Sequence, residues 1–454
     1  MRKLVAATLV AAGLCACGGD DAVSPEIIVG GGVRDPGIDG TVNVYVIDED
    51  DDQPITGAAV RVGDVEGTTD ATGLFVAKDG ALKGKQTIAV RATSYASSVW
   101  VGVDGANVTV PLTRASTTTT AVPQAELGGT IAGWDALPTP ATGHLLAAFV
   151  IYSQRRDLGD DEGNNLEPPP TATGQLPANV CARGPGGQAP PCAWRINART
   201  GTVAVMAVIV DIDSKNTPEE DDDVVTPIGF AIKHPITVAD GADQTGITLD
   251  QIPGTPTTAS VSFGTPPAGL SRVAGVVGID LGDAGVLRPF LLAASPTTSM
   301  VTVPSLSSLA GASYEFLGIA SEPIDDGTAG QSIVLRRGIT SASGIAAGEW
   351  LAPPTGLASD RAMVSLTPAT GADLTILEID TSSGSGDGNR AMSIAIFDGT
   401  TTVALPVDFA PLPGGALTVT ANGFAAEGFT ANDFEVEALV DSVTQLASET
   451  IKLN

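Results

Sequence analysis

Short apolar runs, each broken within a few residues by glycine or proline, constrain this chain more than any other feature. Its 454 residues include 54 glycines and 31 prolines. Glycine and proline interrupt helices and occupy turns, so this spacing favours many short strands. Hydrophobic residues make up 43% of the chain and aromatic residues only 4%, so Val, Ile, Leu and Ala must build the core. The sequence therefore predicts an all-β protein of tandem β-sandwich domains.

Changes in composition divide the chain into segments. We expect a signal peptide at 1–16 and a flexible, glycine-rich tether at 17–37. Four β-rich domains are predicted to follow, at 38–114, 123–252, 253–352 and 353–454. The stretches that begin at Val301 and Val403 are faintly alike, which indicates two related sandwiches. One large sandwich over the last two segments fits the sequence equally well.

The N-terminus carries the motif that indicates a location. A basic head, Arg2-Lys3, precedes an apolar run at 4–14 that is too short to span a bilayer, which takes about 20 residues. The run ends in Leu14-Cys15-Ala16-Cys17, which resembles the lipobox of bacterial lipoproteins. The resemblance implies cleavage after Ala16 and acylation of Cys17, so that a lipid holds the mature chain to a membrane. The alternative is an ordinary secretory signal cut near Ala16, with Cys17 left free.

Three short motifs follow one another in the segment 38–114. They are Pro54 to Val60 (Pro-x-x-Gly-Ala-x-Val), Thr69 to Phe75 (Thr-Asp-x-x-Gly-x-Phe) and Val110-Pro111-Leu112. This succession resembles the carboxypeptidase regulatory-like domain. The resemblance implies a transthyretin-like β-sandwich of about seven strands, related to a carbohydrate-binding-like fold and serving in folding and binding. Ser94 departs from the pattern, because the family often has glycine there.

The net charge limits the partners. The formal charge is −29, and a chain this acidic repels phosphate backbones, so we expect no nucleic-acid partner. It also repels anionic lipid headgroups, so the lipid on Cys17 would provide the membrane attachment. The residue after the cysteine is Gly18, and in this respect the sequence resembles lipoproteins that are sorted to the outer membrane. The expected location is therefore the cell envelope, at the outer membrane, on either its periplasmic or its surface side.

The four cysteines have separate predicted fates. Cys15 would leave with the signal peptide, and Cys17 would carry the lipid. Export to an oxidising compartment predicts a disulfide between the remaining two, Cys181 and Cys192. A metal site is the alternative, although the chain offers only His144 and His234 as further soft ligands.

Catalytic motifs are missing from the sequence. It has no Gly-x-Ser-x-Gly nucleophile elbow, and its glycine- and lysine-containing stretch at 80–86 lacks the Ser or Thr of a phosphate loop. His144 begins a predicted apolar strand, and His234 precedes Pro235 at a predicted strand end, with no companion motif around either. The composition leaves open one class of enzyme, a glycosidase whose catalytic groups are all carboxylates. We expect a non-enzymatic protein without a catalytic cofactor.

Acidic stretches that follow predicted strands are candidate cation sites. After the apolar run Val203 to Val210, which predicts a central strand buried on both faces, Asp211 and Asp213 leave the sheet on one side. Calcium binds several oxygen ligands that converge from one loop. We expect one calcium ion here, held by Asp211, Asp213 and one or more of Asp221, Asp222 and Asp223. A solvated acidic loop is the alternative, and the stretches at 48–52 and 157–162 are weaker candidates.

Two functions fit these observations. The first is a lipid-anchored envelope protein that serves in binding, adhesion or envelope structure, with an envelope protein as partner. The second is a carbohydrate-binding protein or an accessory subunit of a secreted hydrolase, in which exposed tryptophans would contact a glycan. The chain has four tryptophans, Trp100, Trp134, Trp194 and Trp350, and packing in the core is their alternative role.

Overall fold

A computed structural model describes most of the chain beyond the N-terminal segment. The described residues are 37–49, 52–115, 122–156, 166–173, 175–186, 191–215, 223–293, 298–322, 330–381, 389–429 and 442–453. The predicted signal peptide, Cys17 and nearly all of the predicted tether lie outside these ranges. So do Asp221 and Asp222.

The described residues contain 28 strands, which fall into four runs of seven. The first run contains β1 Asp39–Asp48, β2 Ala59–Val62, β3 Val65–Thr68, β4 Leu74–Lys83, β5 Gln86–Arg91, β6 Ser97–Val103 and β7 Asn107–Leu112. The second contains β8 Gln124–Ile131, β9 His144–Tyr152, β10 Val180–Arg183, β11 Ala193–Arg199, β12 Gly201–Asp213, β13 Val224–Val238 and β14 Gln244–Gln251.

The other two runs complete the described chain. The third contains β15 Thr257–Ser262, β16 Arg272–Asp280, β17 Val286–Ala293, β18 Ser299–Val303, β19 Ser313–Ser321, β20 Gln331–Ile339 and β21 Ile345–Ala346. The fourth contains β22 Thr355–Ser359, β23 Met363–Thr367, β24 Leu374–Thr381, β25 Arg390–Ile396, β26 Thr402–Ala404, β27 Leu417–Ala426 and β28 Val443–Leu453. Two single-turn 3-10 helices, Gly282–Ala284 and Leu306–Ser308, lie in the third run.

The first three runs share one topology. In each, the first strand pairs antiparallel with the fourth and parallel with the seventh, which makes a three-stranded layer. The other strands form a four-stranded layer in the order third, second, fifth, sixth. The two layers pack their apolar faces together, as the alternation of side chains along strands requires. The prediction of an all-β protein built from tandem β-sandwiches is confirmed.

The fourth run has the same layers with one strand moved. β23 pairs with β26, and β25-β24-β27-β28 form the four-stranded layer. In the other runs, the last strand pairs in parallel with the first strand. In the fourth run, β22 takes the equivalent position beside β23, and β22 precedes β23 in sequence and runs antiparallel to it. Val301 and Val403, which begin the two similar stretches, lie in the equivalent strands β18 and β26.

Three of the four-stranded layers join edge to edge into one twelve-stranded sheet. β20 of the third run pairs antiparallel with β28 of the fourth, and β25 of the fourth pairs parallel with β6 of the first. The backbone hydrogen bonds of the sheet therefore run without a break through three sandwiches. The division of the chain into four separate domains at the expected boundaries stays a prediction.

The cores of the first and fourth sandwiches overlap at the β25–β6 junction. Trp100 on β6 packs in the first core with Phe397, and their ring centroids are 5.3 Å apart. Val99 and Val101, its neighbours on β6, pack instead in the fourth core. Since neighbouring side chains on a strand point to opposite faces, the three-stranded layers of these two sandwiches cover opposite faces of the twelve-stranded sheet.

The second sandwich meets the third through strand β12. Val203, Val205, Ala207 and Ile209 are buried in the second core, whereas Ala204 and Met206 are buried in the third. The prediction of a central strand buried on both faces is confirmed.

In the described residues no helix is long and apolar enough to cross a membrane.

Polar contacts fix the same junction. The backbones of Gln154 and Val286 exchange two hydrogen bonds, with N–O distances of 2.8 and 2.9 Å. Gly285 lies so close that a Cβ there would be 2.2 Å from the Gln154 carbonyl oxygen, and its φ is +81°. Beside them, Arg156 pairs with the buried Asp280 at 2.7 Å. Because a buried charge is costly without a partner, this pair resists separation of the two sandwiches.

The turn at Ser94 keeps the shape of a glycine turn. Ser94 has a φ of +70°, in the left-handed region that glycine adopts most readily. Its carbonyl accepts a hydrogen bond from the Ala115 amide at 2.8 Å. Serine therefore occupies the left-handed conformation in this chain, at a cost in backbone strain.

A disulfide links the two edge strands of the second sandwich. Its seven strands form one sheet, in the order β10-β9-β12-β13-β14-β8-β11, because β13 also pairs with β14. Cys181 lies on β10, and Cys192, which directly precedes β11, is bonded to it. The Arg195 amide also donates to the Ala178 carbonyl at 2.9 Å. The predicted disulfide is confirmed, and it ties the two ends of this sheet together in place of the alternative metal site.

We expect this disulfide to stabilise the second sandwich by about 3 kcal/mol, because it closes a loop across a sequence separation of 11 and so restricts the unfolded chain. Cys181→Ala/Cys192→Ala should lower the free energy of unfolding by that amount in urea titrations. A thiol reductant should lower the stability of the wild type and leave the variant unchanged. Equal responses of both proteins to the reductant would contradict this role.

Candidate functional site

The candidate site lies at one end of the second sandwich's sheet, where β12 ends and where β9 and β13 begin. β12 places Asp211 and Asp213 at this end, and its partner strand β9 places His144 opposite Asp213. One imidazole reaches both acids: Nδ1 lies 2.9 Å from Asp211 Oδ2, and Nε2 lies 3.9 Å from Asp213 Oδ1. Asp211 and Asp213 therefore share one side of the sheet, as the alternation of strand side chains predicts.

His144 was not expected in this cluster. Its Nδ1–H donates to the Asp211 carboxylate, and both side chains are about two-thirds buried. From the sequence it was only a histidine at the start of an apolar strand. The pairing register of β9 with β12 brings the two side chains together, and no local motif encodes that register.

Lys215 neutralises Asp213 at the end of the strand. Its ammonium forms an ion pair with Asp213 Oδ2, and its amide donates to Asp213 Oδ1 at 3.0 Å. The Lys215 side chain, as the main cause, lowers the pKa of Asp213 below its usual value. This pair therefore contributes to stability above the ordinary aspartate pKa, and the contribution is lost as the pH falls through the lowered pKa.

The turn that carries Lys215 is anchored to the strand beside it. The Ser214 hydroxyl donates to the Gly143 carbonyl at 2.8 Å, and the Ser214 amide donates to the same oxygen at 3.0 Å. Lys215 itself has a φ of +53°. These bonds hold the ammonium against Asp213, so a cation that binds there must compete with an intramolecular ion pair.

The remaining expected calcium ligands are only partly described. Asp223 is half-buried and directly precedes Val224, which pairs with Asp213. Asp221 and Asp222 lie outside the described residues. Within the described part of the chain, no three His, Cys, Asp or Glu side chains are arranged to hold a metal ion. Calcium binding at this loop stays a prediction.

The acidic stretch after β1 begins with a structural aspartate. Asp48 is buried and accepts hydrogen bonds from the Tyr95 hydroxyl at 2.7 Å and from Arg114 Nε at 2.8 Å. Two main effects raise the pKa of Tyr95. The larger is burial of its hydroxyl, and the second is the hydrogen bond to Asp48. Asp48 thus joins the end of β1 to the chain that leaves the first sandwich. The stretch at 157–162 lies outside the described residues.

His234 differs from its expected position. It lies inside β13 rather than at a strand end, and the peptide bond to Pro235 is cis. The ladder between β12 and β13 shifts register beside it, between Val203 and Val205. This irregularity accommodates a proline within a paired strand. Burial, followed by the charge of Lys233, lowers the pKa of His234.

The tryptophans take the packing role. Trp100, Trp134 and Trp194 are at most 5% exposed and lie in hydrophobic cores. Trp350 packs against the third core, and its indole Nε1–H donates to the Phe263 carbonyl at 2.6 Å. They therefore do not form the exposed aromatic face that glycan stacking would use.

Comparisons with known proteins leave the family open. No family model matches the chain, and no curated protein matches it. Among solved structures, the shaft pilin SpaA from Lactobacillus rhamnosus GG is 11% identical and covers 47% of this chain and 98% of its own, with a TM-score of 0.14. A variant of BcpA, the major pilin subunit of Bacillus cereus, is 10% identical and covers 64% and 91%, with a TM-score of 0.14.

A third solved structure covers most of the chain. The tetra-tandem repeat in the extending region of a large adhesion protein is 13% identical and covers 91% of this chain and 99% of its own, with a TM-score of 0.14. At such TM-scores these likenesses carry no argument about this chain, and the fold assignment rests on its own strands.

Calcium binding is testable by thermal unfolding. If Asp211, Asp213 and the acids at 221–223 bind calcium, millimolar calcium should raise the melting temperature of the lipid-free protein relative to chelator, because a ligand bound only to the native state stabilises it. Asp211→Ala/Asp213→Ala should lose that shift. The same shift in both proteins, or none in either, would identify a solvated acidic loop.

Proposed function

We propose that this chain is a lipid-anchored protein of the bacterial envelope, without enzymatic activity, that serves in adhesion or envelope structure through its β-sandwiches. The observation that carries the structural part is the twelve-stranded sheet, which joins three sandwiches by backbone hydrogen bonds at β20–β28 and β25–β6. Such a body holds its surfaces at fixed positions relative to one another. That property suits a spacer or a scaffold.

The anchor is proposed from the sequence alone. The stretch Leu14-Cys15-Ala16-Cys17 supports lipidation of Cys17, and Gly18 supports sorting to the outer membrane. Each buried CH2 of an acyl chain contributes about 0.8 kcal/mol, and more than one chain is needed for lasting attachment. An envelope location also agrees with the Cys181–Cys192 disulfide, because disulfides persist in oxidising compartments.

The proposal of a non-enzymatic role rests on the residues available for chemistry. The chain has two histidines. His144 is engaged by Asp211, and His234 lies within the paired strand β13. Neither histidine hydrogen-bonds to a serine, cysteine or lysine side chain among the described residues, so neither belongs to a nucleophile–base pair of the kind that covalent catalysis uses.

The alternative role in carbohydrate binding has lost its best support. It was motivated by the resemblance to a carbohydrate-binding-like fold and by four scattered tryptophans that, in this role, we expected to be exposed, and three of the four are buried. An envelope protein is therefore the partner we propose ahead of a glycan.

The anchor has a direct test with a matched control in the same motif. We expect the mature wild-type protein to begin at Cys17, to carry acyl mass by mass spectrometry of its N-terminal peptide, and to enter the detergent phase on phase partition. Cys17→Ser should abolish the acyl mass and the partition. Cys15→Ser should behave as the wild type, because that residue leaves with the signal peptide.

The outcome that would contradict the anchor is equally clear. An unmodified N-terminus, or one that begins at a residue other than Cys17, would show an ordinary secretory signal. The structural role would then apply to a released protein.

A further inference from the structure

The second sandwich is the one of the four that lies outside the twelve-stranded sheet. Its own seven strands form a separate sheet, and the disulfide Cys181–Cys192 links the two ends of that sheet. In the described part of the chain, its backbone pairing with the third sandwich is limited to the isolated bridge between Gln154 and Val286. The other sandwiches are joined through whole edge strands. Side chains must therefore hold the second sandwich in its position.

A buried group of two arginines and one glutamate on the third sandwich reaches this junction. Glu315 on β19 is 1% exposed, and its Oε1 accepts a hydrogen bond from Arg288 Nε of β17 at 2.7 Å. Its Oε2 lies 3.5 Å from Arg337 Nε of β20. The side chains of Arg288 and Arg337 are 10% and 18% exposed, so most of this charge is removed from water. We call Arg288, Glu315 and Arg337 the arginine–glutamate triad.

The triad lies on the outward face of the third sandwich's four-stranded layer. Phe316, the neighbour of Glu315 on β19, points into the third core, so Glu315 points away from it. Gly278 on β16 lies opposite Glu315, between β19 and β17. A Cβ at Gly278 would lie 3.2 Å from Arg288 Cγ. Glycine at this position therefore leaves room for Arg288 to cross β16 and reach Glu315.

Both arginines of the triad contact the second sandwich, and Glu315 does not. Arg288 Nη1 donates to the side-chain oxygen of Gln154 at 3.0 Å, and Arg337 Nη2 donates to the Arg156 carbonyl at 2.9 Å. Gln154 and Arg156 belong to the segment that directly follows β9. Among the described residues, the hydrogen-bond and ion-pair partners of Glu315 are the two arginines. Glu315 thus acts on the junction only through them.

The charges within the triad do not cancel. Two guanidinium groups share one carboxylate, and Arg288 Nη2 has no hydrogen-bond partner among the described residues. Buried ionic groups add little net stability, because their desolvation offsets their attraction. Removing one member alone is costly, since it leaves buried charge without a partner. What such a group can supply is the selection of one arrangement of the parts that it joins.

We propose that Glu315 is the positioning residue of a latch between the second and third sandwiches. It holds Arg288 and Arg337 in the orientation that Gln154 and Arg156 accept, and it so determines how the second sandwich docks. The apolar contact of β12 with the third core keeps the two sandwiches together, but hydrophobic contact is non-directional. Without the latch, the second sandwich would keep its own fold and shift as a unit on the third. This role goes beyond the proposed function and does not depend on lipidation.

The test is hydrogen exchange of the full chain in its non-lipidated Cys17→Ser form. It is read at the amides of Gln154 and Val286, each of which donates to the carbonyl of the other across the junction. Glu315→Gln keeps the shape of the side chain and removes its charge. We expect the two amides to exchange roughly tenfold faster or more, because the arginines lose the carboxylate that orients them. The amides that pair β12 with β9, inside the second sandwich, should keep the protection of the parent.

Glu378→Gln is the matched control. Glu378 is a largely buried acid of the fourth sandwich that pairs with Arg390 at 2.7 Å, so this variant also removes one carboxylate from a buried arginine. The Gln154 and Val286 amides should exchange in it as they do in the parent.

A third variant separates positioning from a merely structural role. Arg288→Met/Glu315→Leu/Arg337→Met replaces the whole triad by apolar side chains, a change that often leaves stability near that of the parent. Its melting temperature should therefore equal that of the parent. The Gln154 and Val286 amides should still exchange fast, because the groups that donate to the second sandwich are gone.

Three results would overturn the proposal. Slow, parent-like exchange at Gln154 and Val286 in Glu315→Gln would show that the arginines need no positioning. An equal loss of protection throughout β12 and β19 would show that Glu315 serves the fold alone. Slow exchange at the two amides in the triple variant would show that the triad only fills space.

A further variant covers the case in which Glu315→Gln does not fold, as judged by its melting temperature. Gln154→Ala removes the acceptor of Arg288 on the second sandwich and leaves the triad intact. The Val286 amide should then exchange about threefold faster, since one hydrogen bond across the junction is lost, with β12 and β19 unchanged. Parent-like exchange of that amide would equally overturn the proposal.

Discussion

Backbone hydrogen bonding between the edges of neighbouring sandwiches is the constraint on which the rest of this structure depends. A β-sandwich has exposed edge strands, and each unpaired edge is a template for unwanted pairing with other chains. This chain pairs such edges internally, β20 with β28 and β25 with β6. In the second sandwich, a disulfide joins Cys181 on the edge strand β10 to Cys192, which directly precedes the other edge strand, β11. The edges are thus paired by backbone hydrogen bonds in the long sheet, and the two ends of the second sandwich's sheet are joined by a covalent bond.

The long sheet also determines how the cores are built. A sheet that continues through several sandwiches presents both faces along its whole length, and both must be covered. The three-stranded layers of the first and fourth sandwiches cover opposite faces, so the two cores overlap around Trp100 and Phe397. Aromatic residues are few in the chain, and Trp100 and Phe397 are two of the large side chains buried at this junction.

Local sequence patterns predicted several features of the fold. Short apolar runs broken by glycine and proline predicted the strands, and the unbroken run Val203 to Val210 predicted a strand buried on both faces. The spacing of Asp211 and Asp213 placed them on one side of it. Two cysteines left after export predicted the bond between Cys181 and Cys192. Each of these features depends on residues that are near in sequence or on a simple count.

Features that depend on register between distant strands could not be predicted in this way. His144 and Asp211 are 67 residues apart and meet only because β9 pairs with β12 in one register. β6 and β25 are separated by most of the chain, so no local pattern marks their pairing. β21 has only two residues, too few for a hydrophobic period to be visible. The shared topology of the runs is visible only in their pairing, since their sequences are alike only faintly.

Hydrogen exchange of Phe397→Ala tests most directly whether the sandwiches act as one body. Removing this ring should cost about 3–5 kcal/mol. If the first and fourth sandwiches share a sheet and overlapping cores, amides in β5 and β6 should lose protection together with amides in β24 and β25, and by a similar factor. Faster exchange confined to β24 and β25, with wild-type protection in β5 and β6, would show that the two sandwiches unfold independently and would contradict the shared sheet.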